Sequence, residues 1–173
     1  MMALHTPSQP ASPAPALHLF CGKAGAGKST LAQELARDHG MMLISEDGWL
    51  STLFPAEIAS LADYAERATR LKRALAPHLT QLLQHGVMLA LDFPMNTAAS
   101  RAWARDLAEA AGVSAVLHWL DLPDDVCLAR VNARNASGEH PYTLSAEQFA
   151  QLGRHFEAPH PDEGLTLQPV RHF

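Results

Sequence analysis

The chain has 173 residues, 47% of them hydrophobic, which fits one domain of about 100 to 200 residues with a sizeable core. Its net charge of −5, from 13 Lys+Arg against 18 Asp+Glu, argues against a protein that coats a nucleic-acid backbone, although a local basic groove stays open. No stretch approaches the roughly 18 to 20 apolar residues that cross a bilayer, so no membrane association is expected, and two cysteines, Cys21 and Cys127, read as small core residues of a reducing, cytoplasmic setting.

Residues 1–15 hold four prolines among Ser, Ala and Thr, without a basic start or an apolar run, and are expected to be a disordered tail rather than a secretory leader. Residues 16–173 form the expected domain. Ala16–Cys21 is a short apolar strand, and Ser29–His39 has apolar residues at helical spacing before Gly40 stops it. Met41–Ser45 is a second strand, ending in Glu46-Asp47-Gly48-Trp49. A helical segment follows from about Ala56 to Gln84, which Pro77 could kink or split. Its Arg67, Arg70 and Arg73 recur every three residues, as a solvated face or as substrate contacts. Gly86–Asp92 is a third, nearly all-apolar strand closed by an acid, the form of a buried parallel strand that carries a carboxylate to a ligand crevice.

Thr97–Ala111 is a helix ended by Gly112, and Ser114–Leu120 is a fourth strand. A helix over Asp124–Arg134 opens with Pro123 and acids and sets Arg130 and Arg134 four residues apart on one face. Asn135–Tyr142 reads as a mobile loop, Ser145–Phe156 as a helix with Ser145 as N-cap and Gln148 at the capping-box position, and Leu165–Val170 as an edge strand. Strands alternating with helices give an α/β fold, a five-stranded parallel sheet covered on both faces.

Between the first strand and first helix lies Gly22-Lys23-Ala24-Gly25-Ala26-Gly27-Lys28-Ser29, which fits the phosphate-loop pattern G-x-x-x-x-G-K-[ST]. Small residues let backbone N–H groups turn inward around phosphate oxygens, Lys28 brings positive charge to the β and γ phosphates, and Ser29 offers a hydroxyl to Mg²⁺. The helix N-terminus points its partial positive charge at the same anion. The ligand expected is a nucleoside triphosphate. Phosphoryl transfer also needs an oriented acceptor, a held metal and charge neutralisation. Asp47 is the choice for orienting an acceptor hydroxyl and taking its proton, with helix capping as its alternative. Asp92 could hold a Mg²⁺-bound water or the acceptor, or cap a strand end. Arg130 and Arg134 beside a flexible loop suggest a lid, around residues 130–155, that closes over the phosphates, or else an exposed helix face.

The phosphate loop with Thr30, then Ile44-Ser45-Glu46-Asp47, Leu91-Asp92, Cys127-Leu128-Ala129-Arg130-Val131-Asn132-Ala133-Arg134-Asn135 and the closing Phe156-Glu157-Ala158-Pro159 and Glu163-Gly164 resemble the P-loop kinases of the AAA-33 ATP-binding family. That group is similar to chloramphenicol phosphotransferase, zeta toxins and the kinase domain of polynucleotide kinase. The resemblance implies a three-layer, nucleotide-kinase-like P-loop NTPase fold that uses ATP and Mg²⁺, with Asp47 as base and Arg130 and Arg134 in the lid. It also implies that Arg134 reaches the phosphates while Arg130 packs against adenine. In the polynucleotide kinase pattern an arginine follows the base by three residues, and this chain has Leu50 there. With Trp49, Leu53 and Phe54 close by, an apolar-walled acceptor site suits a small alcohol better than a phosphorylated end. Ordinary core packing is the other reading of that cluster. The expected activity is ATP-dependent phosphorylation of a small-molecule hydroxyl, with a polynucleotide or nucleotide-sugar kinase, or a nucleotide-dependent switch with a protein partner, as alternatives.

Overall fold

The computed structural model describes residues 16–138 and 142–170. Five strands, β1 (Ala16–Cys21), β2 (Met42–Ser45), β3 (Leu89–Pro94), β4 (Ser114–Trp119) and β5 (Thr166–Pro169), form one parallel sheet in the order β2-β3-β1-β4-β5. Six helices accompany them: α1 (Lys28–His39), α2 (Glu46–Leu53), α3 (Leu61–Gln84), α4 (Ala98–Ala111), α5 (Asp124–Ser137) and α6 (Ala146–Arg154). A single 3₁₀ turn, Pro161–Glu163, precedes β5.

The sheet is apolar on both sides because both sides are covered. Side chains alternate along a strand, so Leu17, Leu19, Leu89 and Leu91 face Leu79 and Leu83 of α3 and Ala104 and Leu107 of α4. Phe20 and Ala90 face the other way, onto Ala32 and Ala36 of α1. The chain runs from β1 outward over β3 to β2, returns to β3, then crosses to β4 on the far side of β1. The strand order therefore reverses beside β1, and open α/β sheets place their ligand crevice at the carboxyl ends of the strands at such a point.

Several elements differ from the sequence reading, β3 among them, which runs over Leu89–Pro94 rather than Gly86–Asp92. The segment after β2 is a helix, α2, capped by the Ser45 hydroxyl, which accepts from the Gly48 N–H at 3.3 Å. The long helix starts at Leu61, where Ser60 and Asp63 form a capping box, rather than near Ala56. Pro77 neither splits nor ends it: Pro77 and Arg73 are both exposed, so the carbonyl that loses its helical partner faces water. Asn135 to Ser137 extend α5 instead of opening a loop, and residues 139–141 of the predicted loop lie outside the described residues, as does the predicted tail, 1–15.

Candidate active site

The phosphate loop turns at the carboxyl end of β1 and delivers Lys28 as the first residue of α1. Gly25 (φ 80) and Gly27 (φ 98) hold left-handed backbone that side chains rarely adopt. Gly25 is also pressed onto α5, where an added Cβ would come within 2.3 Å of the Cys127 carbonyl oxygen. The loop is held from behind by Asn96, whose Oδ1 accepts from the Gly22 N–H at 3.0 Å. Lys28 Nζ donates to the carbonyls of Gly22 (2.7 Å) and Lys23 (3.1 Å). Desolvation pushes its ammonium down, and the charges of Asp92 and Asp47 oppose this.

In front of the loop opens a cavity of about 860 Å³. Lys23, Ala24, Gly25, Gly27, Lys28, Ser29 and Thr30 line it, whereas Gly22 and Ala26 are buried behind. Across it stand Asp47 and Asp92, brought to one level because Ser45 and Asp92 are register partners of β2 and β3. The Ser29 hydroxyl donates to Asp92 Oδ1 at 3.0 Å. Asp92 lies inside β3 and Ser45 caps α2, so neither acid serves as the cap that the sequence left open for it.

Arg130 and Arg134 both line the cavity from α5. Arg130 is exposed; Arg134 is half-buried, and its Nε has no hydrogen-bond partner among the described residues. Burial lowers the Arg134 guanidinium below its usual range, and the nearby Asp47 charge acts against that. Phe149 of α6 packs with Val131, Cys127 and Ala26, which ties α6 and α5 to the loop. Both cysteines are free and buried; burial pushes the Cys21 thiol up to about 11.

Trp49 does not join the site. It is 43% exposed on α2 and does not line the cavity. Leu50 is core under Ala68 and Leu71, Leu53 is exposed, and Phe54 lies beneath Arg67. The helix carries these side chains away from Asp47, and the apolar wall is formed by Ile58, Leu61, Ala65 and Ala68 instead. Of the three spaced arginines, Arg67 pairs with Glu57 and Arg70 with Glu66, and none lines the cavity.

Sequence reasoning overlooked Glu46, Tyr64, Lys72, Asn96 and Tyr142, all of which line the cavity, and Asn96 also braces the loop. Tyr64 could have been found from its spacing, four and seven residues before the buried Ala68 and Leu71, which puts it on the inner face of α3. Its hydroxyl meets Asp47 Oδ1 at 2.7 Å and Glu46 Oε1 at 2.9 Å, and its ring meets Tyr142 edge-on at 5.8 Å.

No cluster of three or more His, Cys, Asp or Glu able to hold a metal occurs among the described residues. Mg²⁺ does not require one, since it keeps several waters and binds through one or two oxygen ligands plus substrate phosphates. The Ser29 hydroxyl and Asp92 carboxylate fit that role.

The AAA_33 family of AAA domains matches residues 17–159 of this chain. An adenylate kinase of Synechococcus sp. (strain RCC307) is 28% identical over 155 residues, covering 80% of this chain and 83% of that protein. Among solved structures, the Mycobacterium tuberculosis APS kinase, in complex with AMPPNP and APS, superposes with a TM-score of 0.62 at 23% identity, covering 94% of this chain and 92% of that one. A sugar kinase from Janibacter sp. HTCC2649 does so with a TM-score of 0.63 at 21% identity, covering 91% and 86%. With the phosphate loop, the sheet order and a family match over most of its length, this chain belongs to the AAA_33 family and has the kinase-like P-loop NTPase fold.

Proposed function

We propose that the protein is an ATP-dependent kinase that transfers the γ-phosphoryl group to a hydroxyl of a small acceptor bearing no anionic group. The observation that carries this reading is convergence: Lys28 and Ser29 of α1, Asp47 of α2, Asp92 of β3 and Arg134 of α5 come from four different elements and line one cavity. In that arrangement the loop N–H groups and Lys28 bind the triphosphate, and Ser29 and Asp92 orient the metal. Mg²⁺, when bound, neutralises charge on the phosphates. Arg134, whose buried Nε has no hydrogen-bond partner among the described residues, supplies positive charge to the transferring group. Asp47 orients the acceptor hydroxyl and takes its proton as the new O–P bond forms and the bond to the ADP oxygen breaks. Arg130, at the exposed mouth, is suited to pack on the base.

The charge inventory supports an uncharged acceptor. On the α3 side of the cavity, the only Lys or Arg among the described lining residues is Lys72, whose ammonium sits over the Trp103 ring. Phosphate, sulfate or nucleic-acid ends call for several converging cations, preferably forked arginines, and Leu50 stands where the polynucleotide kinase pattern has an arginine.

A thermal-shift screen tests the reading. A ligand that binds only the native state raises the midpoint, so a non-hydrolysable Mg-ATP analogue should shift the wild type and not Lys28→Ala. Uncharged polyols should add a further shift, while 5′-hydroxyl oligonucleotides should add none. An analogue that shifts neither protein refutes the assignment.

A further inference from the structure

Tyr64 reaches two carboxylates with one hydroxyl: its Oη lies 2.7 Å from Asp47 Oδ1 and 2.9 Å from Glu46 Oε1. A phenol has a single hydrogen to donate, and both separations are those of O–H···O hydrogen bonds. With both acids ionised, one of these contacts would set lone pair against lone pair in a poorly solvated place. The geometry therefore requires a second proton, carried by one carboxyl and donated to the phenol oxygen.

Glu46 is the acid suited to carry it. Its side chain is 2% exposed, and its Oε2 has no hydrogen-bond partner among the described residues. The nearest cation, Lys72 Nζ, is 3.6 Å away and sits over the Trp103 ring. An ionised carboxylate so buried and so loosely paired is costly. Asp47 is less buried and faces the cations Arg134 and Lys28. Consistent with this, burial raises the Glu46 carboxyl above its usual range against the opposing pull of Lys72 and Tyr64. The groups around the pair are Tyr64 and Lys72 of α3, Asp47 on the same helix, Asp92 of β3, Lys28 of α1, Arg134 of α5, and Tyr142.

We propose that Glu46 is a neutral carboxylic acid in the folded protein, donating to Tyr64 Oη, while Tyr64 donates to Asp47 Oδ1 and so acts as a positioning residue for that carboxylate. The catalytic consequence rests on the base role proposed for Asp47; the protonation does not. Tyr64 Oη then faces one donor and one acceptor, and Asp47 Oδ1 accepts. The Asp47 carboxylate is held in one plane by a hydroxyl whose ring is itself braced by Tyr142.

Infrared difference spectroscopy of the full chain tests the protonation. The wild type at neutral pH should show a carboxylic-acid carbonyl band that Glu46→Gln lacks, since the amide keeps the shape and a donor but has no proton to lose. A carboxyl raised on folding costs stability as pH climbs from its ordinary 4.5 through its folded value. The wild type should therefore lose stability relative to Glu46→Gln over that range. Absence of the band together with parallel stability curves would overturn the protonation and make Glu46 an ionised partner of Lys72. For the positioning role, Tyr64→Phe should lower kcat by about tenfold or more with KM for ATP within about twofold. An unchanged kcat would refute it. A band in a protein that phosphorylates no acceptor would uphold the protonation and count against the kinase reading.

Discussion

Arg101 is a large cation that nothing in the sequence marked, and its replacement by Met should be among the most damaging single changes in the chain. The side chain is 1% exposed within α4. Its Nη2 donates to Glu163 Oε1 at 2.7 Å while Nε meets the other carboxylate oxygen, a forked pair, and its Nη1 donates to the carbonyls of Met95 (3.1 Å) and Glu157 (2.8 Å). Arg101→Met leaves a partly buried carboxylate and three carbonyls, the third being that of Ala158 at 3.4 Å from Nη2, without these donors, and breaking such a pair from one side costs about 3 to 5 kcal/mol. At roughly 2 to 4 °C per kcal/mol for a chain of this size, the midpoint should fall on the order of 10 °C. The loss should be local as well. The released segment contains Glu157, whose N–H donates to the Asn96 carbonyl, and Phe156, which lies under Lys23 of the phosphate loop. Urea denaturation at pH 7 measures the global effect, and hydrogen exchange over residues 157–170 the local one. Arg101 holds the Glu163 carboxyl below its ordinary range. Its share of the stability is therefore present above pH about 4.5 and fades as pH falls through the folded value, a slope the variant should lack. A cost below about 1 kcal/mol, with exchange unchanged, would show that the pair contributes no more than an exposed salt bridge.

Three further substitutions have expected outcomes. Gly25→Ala combines left-handed backbone with an impossible approach to the Cys127 carbonyl, so it should lose about 2 kcal/mol or more and its nucleotide-induced thermal shift; an unperturbed shift would contradict the loop geometry. The buried His118, 3.0 Å from His18 and stacked on Phe20, is lowered to about 4 by burial and by His18. Because its folded value lies below the ordinary 6.5, stability is present above pH 6.5 and is lost as pH falls toward 4, by about 3 kcal/mol in all, and His118→Phe should flatten that slope in urea titrations. Arg134→Ala should lower kcat more than it raises KM for ATP, and the reverse pattern would make Arg134 a ground-state binder.

The fold was legible because burial on both faces of a parallel sheet leaves short apolar runs such as Leu89 to Leu91 that nothing else explains. The phosphate loop was legible because its glycines answer backbone constraints that only Gly meets, as Gly25 against Cys127 shows. The region after β2 was not. Glu46 to Leu53 has Gly48 and Thr52 inside it, a composition of low helix propensity, and forms a helix because Ser45 caps it and Leu50 packs on Ala68 and Leu71. Once those residues are helical, Trp49 and Leu53 turn outward, which no linear reading of a hydrophobic cluster could foresee. Partners distant in sequence were equally hidden: Tyr64 with Asp47 depends on where α3 crosses α2, and Asn96 with Gly22 on a span of 74 residues. Pro77 does not split α3, because the cost of a helical proline depends on whether the orphaned carbonyl meets water.

The central claim is that the cavity in front of Lys28 transfers a phosphoryl group rather than merely hydrolysing a nucleotide, with Asp47 as base. ADP formation from Mg-ATP, followed with and without a panel of uncharged hydroxyl compounds in the wild type and in Asp47→Asn, tests it most directly. The account predicts slow ADP formation alone, stimulation by one acceptor class with the phosphate recovered on that acceptor, and loss of the stimulated rate in Asp47→Asn while the ATP-analogue thermal shift remains. ADP formation that is equal with and without every acceptor, and unaffected by Asp47→Asn, would contradict it and indicate a nucleotide-dependent switch.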